Sequence, residues 1–147
     1  MTLQNLAKIG QLKPHDATAE EVQRLLAAVR RNLADAQRAG NSTETRFDCA
    51  YKAIMQCALV AMMASGYRPS TSAPGHHQTM IQSQPLTLGL DNETWIVLDA
   101  LRKKRNLNDY TGAALAQSEA AEAIKQAHGL LARAVSYLHA NRPHLLK

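Results

Sequence analysis

The sequence predicts an all-α fold, an up-and-down bundle of four long helices with one short helix. Apolar residues recur at helical spacing in four segments, and no segment alternates between apolar and polar residues with a period of two. Aromatic residues make up only 4% of the chain while Ala and Leu are abundant, a composition that favours helices. We therefore expect one domain over the 147 residues, with a helical core at residues 18–140 and no β-sheet.

The first long helix has clear signals at both ends. A weakly periodic arm, residues 1–13, precedes it. Asp16 and Thr18 are both suitable N-caps, and two glutamates follow in the first turn, where acids are favoured. Apolar residues then recur every three or four positions until Gly40, which is expected to end the helix.

The second long helix is expected to be the most buried. Ser42 or Thr43 caps it and Gly66 stops it, and between them the helix is apolar over much of its girth. Cys49 and Cys57 both lie on this helix, about 12 Å apart along its axis, which is too far for a disulfide bond. We therefore expect buried free thiols in a reducing compartment.

Turn-rich connectors separate the remaining helices. A short helix is predicted over residues 76–81, between segments rich in Gly, Pro and Ser. Asp91 is the expected N-cap of the third long helix, which ends in a break at residues 108–112. The last long helix is expected to begin at Ser118 and to end just before Pro143.

Charge and hydropathy favour a cytoplasmic protein without a membrane segment. The N-terminal residues lack the apolar core of a signal peptide, and the longest apolar run, residues 57–64, is too short to span a bilayer. The net charge is +5 and the isoelectric point is about 9.5, which permits binding to polyanions without requiring it.

A basic run near the end of the third long helix is the main candidate for function. With 100° per residue, Arg105 lies about 20° and Arg102 about 40° from Leu98, on the apolar face. Lys103 and Lys104 point well away from that face and are expected to be solvated. An arginine that faces inward must pair with an acid or line a polar cleft.

A purely structural interpretation of these arginines stays open. Asp99 lies three residues before Arg102, so the two side chains are expected to form an ordinary pair on the helix surface. Arg105 can likewise pair with Asp48 or Asp109. A buried ion pair of this kind does not by itself indicate a function.

Three segments, taken together and in this order, resemble the HEPN superfamily of helical-bundle domains (higher eukaryotes and prokaryotes nucleotide-binding). They are residues 46–51, residues 66–77 and residues 102–106. The resemblance extends over residues 18–140. It implies a homodimer with a cleft at its interface, and it raises a nucleotidyltransferase-like protein as a second partner.

The hallmark of that family is an arginine, usually followed by a polar residue, with a histidine after four to six spacer residues. Members with the full motif are metal-independent RNA endonucleases, often toxins. Here Arg105 and Asn106 match the first two positions, but Tyr110 stands where the histidine would follow after four spacers. The next histidine is His128, beyond the range of the motif.

The resemblance and the inward arginines favour a nucleic-acid or nucleotide-phosphate binding module, a diverged relative of those RNases. Arg102, Arg105 and Asn106 would bind phosphate, with Tyr110 at the rim of the cleft. One alternative is an active RNase toxin of a toxin–antitoxin pair, in which Arg105, Asn106 and Tyr110 are catalytic. The other is a non-catalytic protein-interaction bundle.

Catalysis would need a base near Arg105. Tyrosine is a poor base, because its ordinary pKa is about 10, so His76 or His77 would have to supply an imidazole from the short helix. Asp48 and Asp109 are further supporting candidates. Adjacent histidines lack the i, i+4 spacing of a helical metal site and no carboxylate is close in sequence, so we expect neither a metal nor a cofactor.

Overall fold

The computed structural model describes residues 2–70 and 75–147, except the side chain of His76. Over these residues the chain is mostly helical, and the predicted all-α bundle is confirmed. The elements in chain order are α1 (Leu3–Lys8), β1 (Leu12–Pro14), α2 (Ala19–Ala36), α3 (Thr43–Ala64), β2 (Tyr67–Pro69), α4 (His76–Gln82), α5 (Gln84–Thr87), α6 (Asn92–Thr111), α7 (Gln117–Asn141) and a 3₁₀ turn (Pro143–Leu146).

Helix α3 is the centre of the bundle, because α2 and α7 both pack along it. Thirteen of its 22 residues are buried, which confirms the prediction that it is the most buried helix. By length and composition α3 could cross a membrane, but 72% of its apolar stretch is buried within the bundle, as in the core helix of a soluble protein. Cys57 is buried on this helix and Cys49 is half-buried, and both are free thiols.

Helix α2 begins at a predicted cap and ends earlier than predicted. Thr18 is the N-cap, and it exchanges hydrogen bonds with Glu21 in a capping box. The helix ends at Ala36 rather than at Gly40. The carbonyl oxygen of Ala36 accepts a hydrogen bond of 2.7 Å from Arg46 Nε, which satisfies this group without a further helical turn.

The prediction of no β-sheet is wrong at one place. β1 pairs with β2 in an antiparallel two-stranded sheet, with Leu12 opposite Pro69 and Pro14 opposite Tyr67. Strands of three residues are too short to show an alternating pattern in the sequence. The segment predicted as an arm holds both β1 and α1, and α1 packs on the core through Leu3, Leu6 and Ala7.

Helix α6 lies at the side of the bundle and packs mainly against α4. Its N-cap is Asp91, as predicted, whose Oδ1 accepts a 2.8 Å hydrogen bond from the Thr94 amide. The helix passes through the predicted break at residues 108–112 and ends at Thr111, with Gly112 in the left-handed conformation at φ 70°. The short helix predicted at residues 76–81 is α4, whereas α5 was not predicted.

One buried polar side chain lacks partners. Gln84 is fully buried on α5, and its Oε1 and Nε2 make no hydrogen bond within the part of the chain that the structure describes. A buried amide without partners costs about 1–3 kcal/mol.

Gln84→Met should therefore raise the free energy of unfolding by about 1–2 kcal/mol in urea denaturation. The exposed neighbour Gln82 provides the control, since Gln82→Met should change it by less than about 0.5 kcal/mol. A less stable Gln84→Met protein would contradict this prediction.

Candidate functional site

A cavity of about 480 Å³ lies between α3, α4 and α6. Most of its wall is one face of α3, whose lining residues are Asp48, Tyr51, Lys52, Met55, Gln56 and Leu59. Helix α4 adds His77 and Met80, and helix α6 adds Arg105 and Asp109. The volume falls within the range of about 300–1,000 Å³ that small-molecule sites occupy.

The α3 face changes in chemistry along the helix. Its residues are three or four positions apart, so they form a single stripe. The stripe begins with the charged side chains of Asp48 and Lys52 and continues to Met55 and Leu59, about 16 Å along the helix axis. The cavity therefore has a charged end, next to α6, and an apolar end.

Arg105 is fixed at the charged end by two neighbours. Its guanidinium carbon lies 5.3 Å from the centroid of the Tyr51 ring, a cation–π arrangement. Asp109 Oδ2 lies 3.3 Å from Arg105 Nε. The side chain of Arg105 remains 33% exposed, so its charge is accessible from the cavity.

The structure also brings an imidazole to this cavity. Nδ1 of His77 lies 3.4 Å from the hydroxyl oxygen of Tyr51, and the two rings have centroids 6.0 Å apart. His77 is half-buried. Of the two histidines that the sequence offered, His77 thus lines the same cavity as Arg105, while the side chain of His76 lies outside the described part of the chain.

The two inward arginines do not share one site. Nε of Arg102 donates a 2.9 Å hydrogen bond to Asp99 Oδ1, and these side chains are only 14% and 12% exposed. Lys103 is exposed, as predicted, and contacts the same carboxylate at 3.3 Å. Lys104 is less exposed than predicted, because it reaches Glu119 of α7 at 3.2 Å. Arg102 is therefore paired with Asp99 and is not among the residues that line the cavity.

Asn106 and Tyr110 are not among the residues that line the cavity. Tyr110 is 87% exposed. Tyr110 lies five positions after Arg105 on the helix, a rotation of about 140°, so its side chain projects from a different face of α6. The match to a motif position in sequence does not bring this phenol next to the guanidinium.

Burial and neighbouring charges shift the pKa values of two lining residues. The pKa of Asp48 is raised, mainly by burial and then by the negative charge of Asp109, and Arg105 opposes the rise. Burial raises the pKa of Tyr51 to about 12, against the effect of the nearby arginines. Tyr51 is therefore a neutral phenol at physiological pH. Two acids, Asp48 and Asp109, balance two cations, Lys52 and Arg105, around the cavity.

The sequence held a signal for this wall that we did not use. Asp48, Lys52 and Gln56 follow one another at i, i+4 spacing on a helix that is otherwise mostly apolar. Such a polar stripe on a buried helix marks a face that other helices do not cover. Tyr51 and Met55 flank this stripe, and they line the cavity with it.

Within the described residues, no three His, Cys, Asp or Glu side chains lie close enough together to hold a metal ion.

No family model, curated protein or solved structure matches this chain. The resemblance to the HEPN superfamily therefore depends on the three sequence segments alone.

The raised pKa of Tyr51 predicts a loss of stability at high pH. An unfolded tyrosine ionises near pH 10 and folded Tyr51 near pH 12, so unfolding releases a proton between these values. The free energy of unfolding should fall by about 2–3 kcal/mol as the pH rises from 10 to 12. This component should be absent in Tyr51→Phe and present in Tyr110→Phe, as measured by urea denaturation across that range. Identical pH dependence of the wild type and Tyr51→Phe would contradict it.

Proposed function

We propose that this chain is a nucleic-acid or nucleotide-phosphate binding module of the HEPN type, with its site in the cavity between α3, α4 and α6. The position of Arg105 is the observation that supports this most. Its guanidinium is held over Tyr51 at the charged end of the cavity and is still accessible. A planar guanidinium can bind two phosphate oxygens at once, and Lys52 adds a second cation nearby.

The apolar end of the cavity supports a ligand that carries an aromatic base. Met55, Met80 and Leu59 line it, and thioether groups make favourable contacts with aromatic rings. Gln56 lies beside them, and its Oε1 accepts a 2.8 Å hydrogen bond from Asn32 Nδ2. That bond leaves the amide NH₂ of Gln56 as a donor to the polar edge of a base.

The two carboxylates of the cavity set the expected strength of binding. A phosphate at Arg105 competes with Asp109, which contacts Nε of Arg105, and it also meets the charge of Asp48. Binding should therefore be modest and should weaken as the salt concentration rises. Removing a competing carboxylate should strengthen it.

The decisive variant is Arg105→Ala. It should weaken the affinity for a labelled single-stranded RNA and for a nucleoside monophosphate by at least about tenfold at low salt, since charged hydrogen bonds contribute about 1.5–3 kcal/mol. Asp109→Asn should raise the affinity. Lys103→Ala removes the same charge from the exposed side of the same helix and should have little effect. Equal affinity of Arg105→Ala and the wild type in calorimetry would refute the proposal.

An active RNase, such as a toxin of a toxin–antitoxin pair, is the second candidate function. The support for it is that His77 and Arg105 line one cavity. A neutral imidazole can take the proton of a 2′-hydroxyl while a guanidinium stabilises charge on the phosphate. The 2′ oxygen then bonds to phosphorus, the bond from phosphorus to the 5′ oxygen breaks, and water protonates the 5′ oxygen as it leaves. In this mechanism His77 takes the role that the sequence had suggested for Tyr110.

The RNase candidate predicts cleavage of single-stranded RNA in EDTA, with products that end in 2′,3′-cyclic phosphate. His77→Ala should slow cleavage by about 10²- to 10⁴-fold, the usual contribution of a general base. Tyr110→Phe distinguishes the two bases, because loss of cleavage in this variant would assign the role to Tyr110 instead. No product from varied RNAs after long incubation would exclude this candidate.

The third alternative, a non-catalytic interaction bundle, requires both arginines to be saturated by acids without an open cleft. Arg102 meets that condition through Asp99, whereas Arg105 lines a cavity. The homodimer, the nucleotidyltransferase-like partner and the cytoplasmic location remain predictions.

A further inference from the structure

We propose that Tyr51 is the positioning residue for Arg105, and that its ring holds the guanidinium in the orientation in which a phosphate can bind. The role in binding rests on the function proposed above. The positioning itself is a property of the free protein and can be measured without a ligand.

The contact has the geometry of a platform. The Arg105 guanidinium carbon lies 5.3 Å from the centroid of the Tyr51 ring. A guanidinium is attracted to an aromatic face by its charge, so the ring favours a position of the group over that face. The ring therefore restrains the position of the nitrogen atoms that would meet the phosphate oxygens.

Tyr51 is itself held firmly. Its side chain is buried, and its ring stacks on Phe47 with centroids 6.4 Å apart and planes 8° from parallel. Its hydroxyl lies 3.4 Å from Nδ1 of His77 on α4. A buried ring packed on two sides cannot turn freely, so the position of Arg105 is set by the core of the bundle.

Asp109 does not provide the same restraint. It contacts Nε of Arg105 at 3.3 Å, but it lies one turn along the same helix and is 40% exposed. Exposed pairs of this i, i+4 type are weak and are screened by salt. An arginine restrained only by such a pair would still move among rotamers, whereas the Tyr51 ring removes that freedom before a ligand arrives.

The first experiment measures the ligand-free protein by NMR. The Nε–H resonance of Arg105 should show the upfield shift that a nearby aromatic ring causes, and it should show a nuclear Overhauser effect to the Tyr51 ring protons. Tyr51→Phe should keep the shift and Tyr51→Leu should abolish it. A wild-type Arg105 resonance with neither the shift nor the Overhauser effect would refute the positioning role, without the need for any variant to fold.

The second experiment measures affinity for a nucleoside monophosphate. Tyr51→Leu should weaken binding by about tenfold, which is the scale of a partly desolvated cation–π contact. Tyr51→Phe keeps the aromatic ring, so its affinity should stay within about twofold of the wild-type affinity. Leu138→Ala is the matched control, because Leu138 is equally buried, lies in a separate core cluster from Tyr51 and does not line the cavity. It should alter stability without altering affinity.

A double-mutant cycle separates positioning from general packing. In the Arg105→Ala background, Tyr51→Leu should cause no further loss of affinity, because the group that it positions is gone. If the loss persists there, or if Leu138→Ala weakens binding as much, the inference is wrong and the proposed function stands. If Arg105→Ala does not weaken binding, the proposed function fails, and the NMR result alone decides the positioning role.

Discussion

The burial of α3 is the constraint on which the rest of the structure depends. This helix is packed on both sides by α2 and α7, and most of its surface is apolar. Apart from the hydroxyl of Tyr51, its hydroxyl, amide and charged side chains are confined to the first turn and to the stripe of Asp48, Lys52 and Gln56. Because burying polar groups without partners is costly, α4 and α6 close over that stripe less tightly than α2 and α7 close over the apolar faces of α3. The cavity follows from this.

The same constraint explains why α6 supplies the arginine. Helix α6 packs mainly on α4 and lies beside the charged part of α3 rather than along its whole length. Arg105 extends from α6 to the ring of Tyr51, where its aliphatic part can be covered while its charge stays near water. The side chain of Arg105 thus connects α6, at the side of the bundle, with the buried helix α3.

Local signals predicted much of the fold, and tertiary contacts decided the rest. Thr18, Ser42 and Asp91 cap their helices as expected because a cap depends on three or four neighbouring residues. The end of α2 depends instead on Arg46, ten residues away, and the β1–β2 pair joins segments more than fifty residues apart. The site shows the same division. The inward face of the basic run was predictable, and so were the acidic partners on the same helix, Asp99 for Arg102 and Asp109 as one of two candidates for Arg105. The contact of Arg105 with the Tyr51 ring was not, because Tyr51 lies on α3, more than fifty residues away in sequence.

Arg102 and Arg105 are nearly equivalent on a helical wheel, yet only one of them can exchange its partner. The Arg102–Asp99 pair is 14% and 12% exposed, and separating such a buried pair would cost about 3–5 kcal/mol. The Arg105–Asp109 pair is 33% and 40% exposed, where an ion pair contributes about 1 kcal/mol or less. Arg105 can therefore change its partner at a lower cost than Arg102 can. The difference in burial, rather than the charge that they share, distinguishes the two arginines.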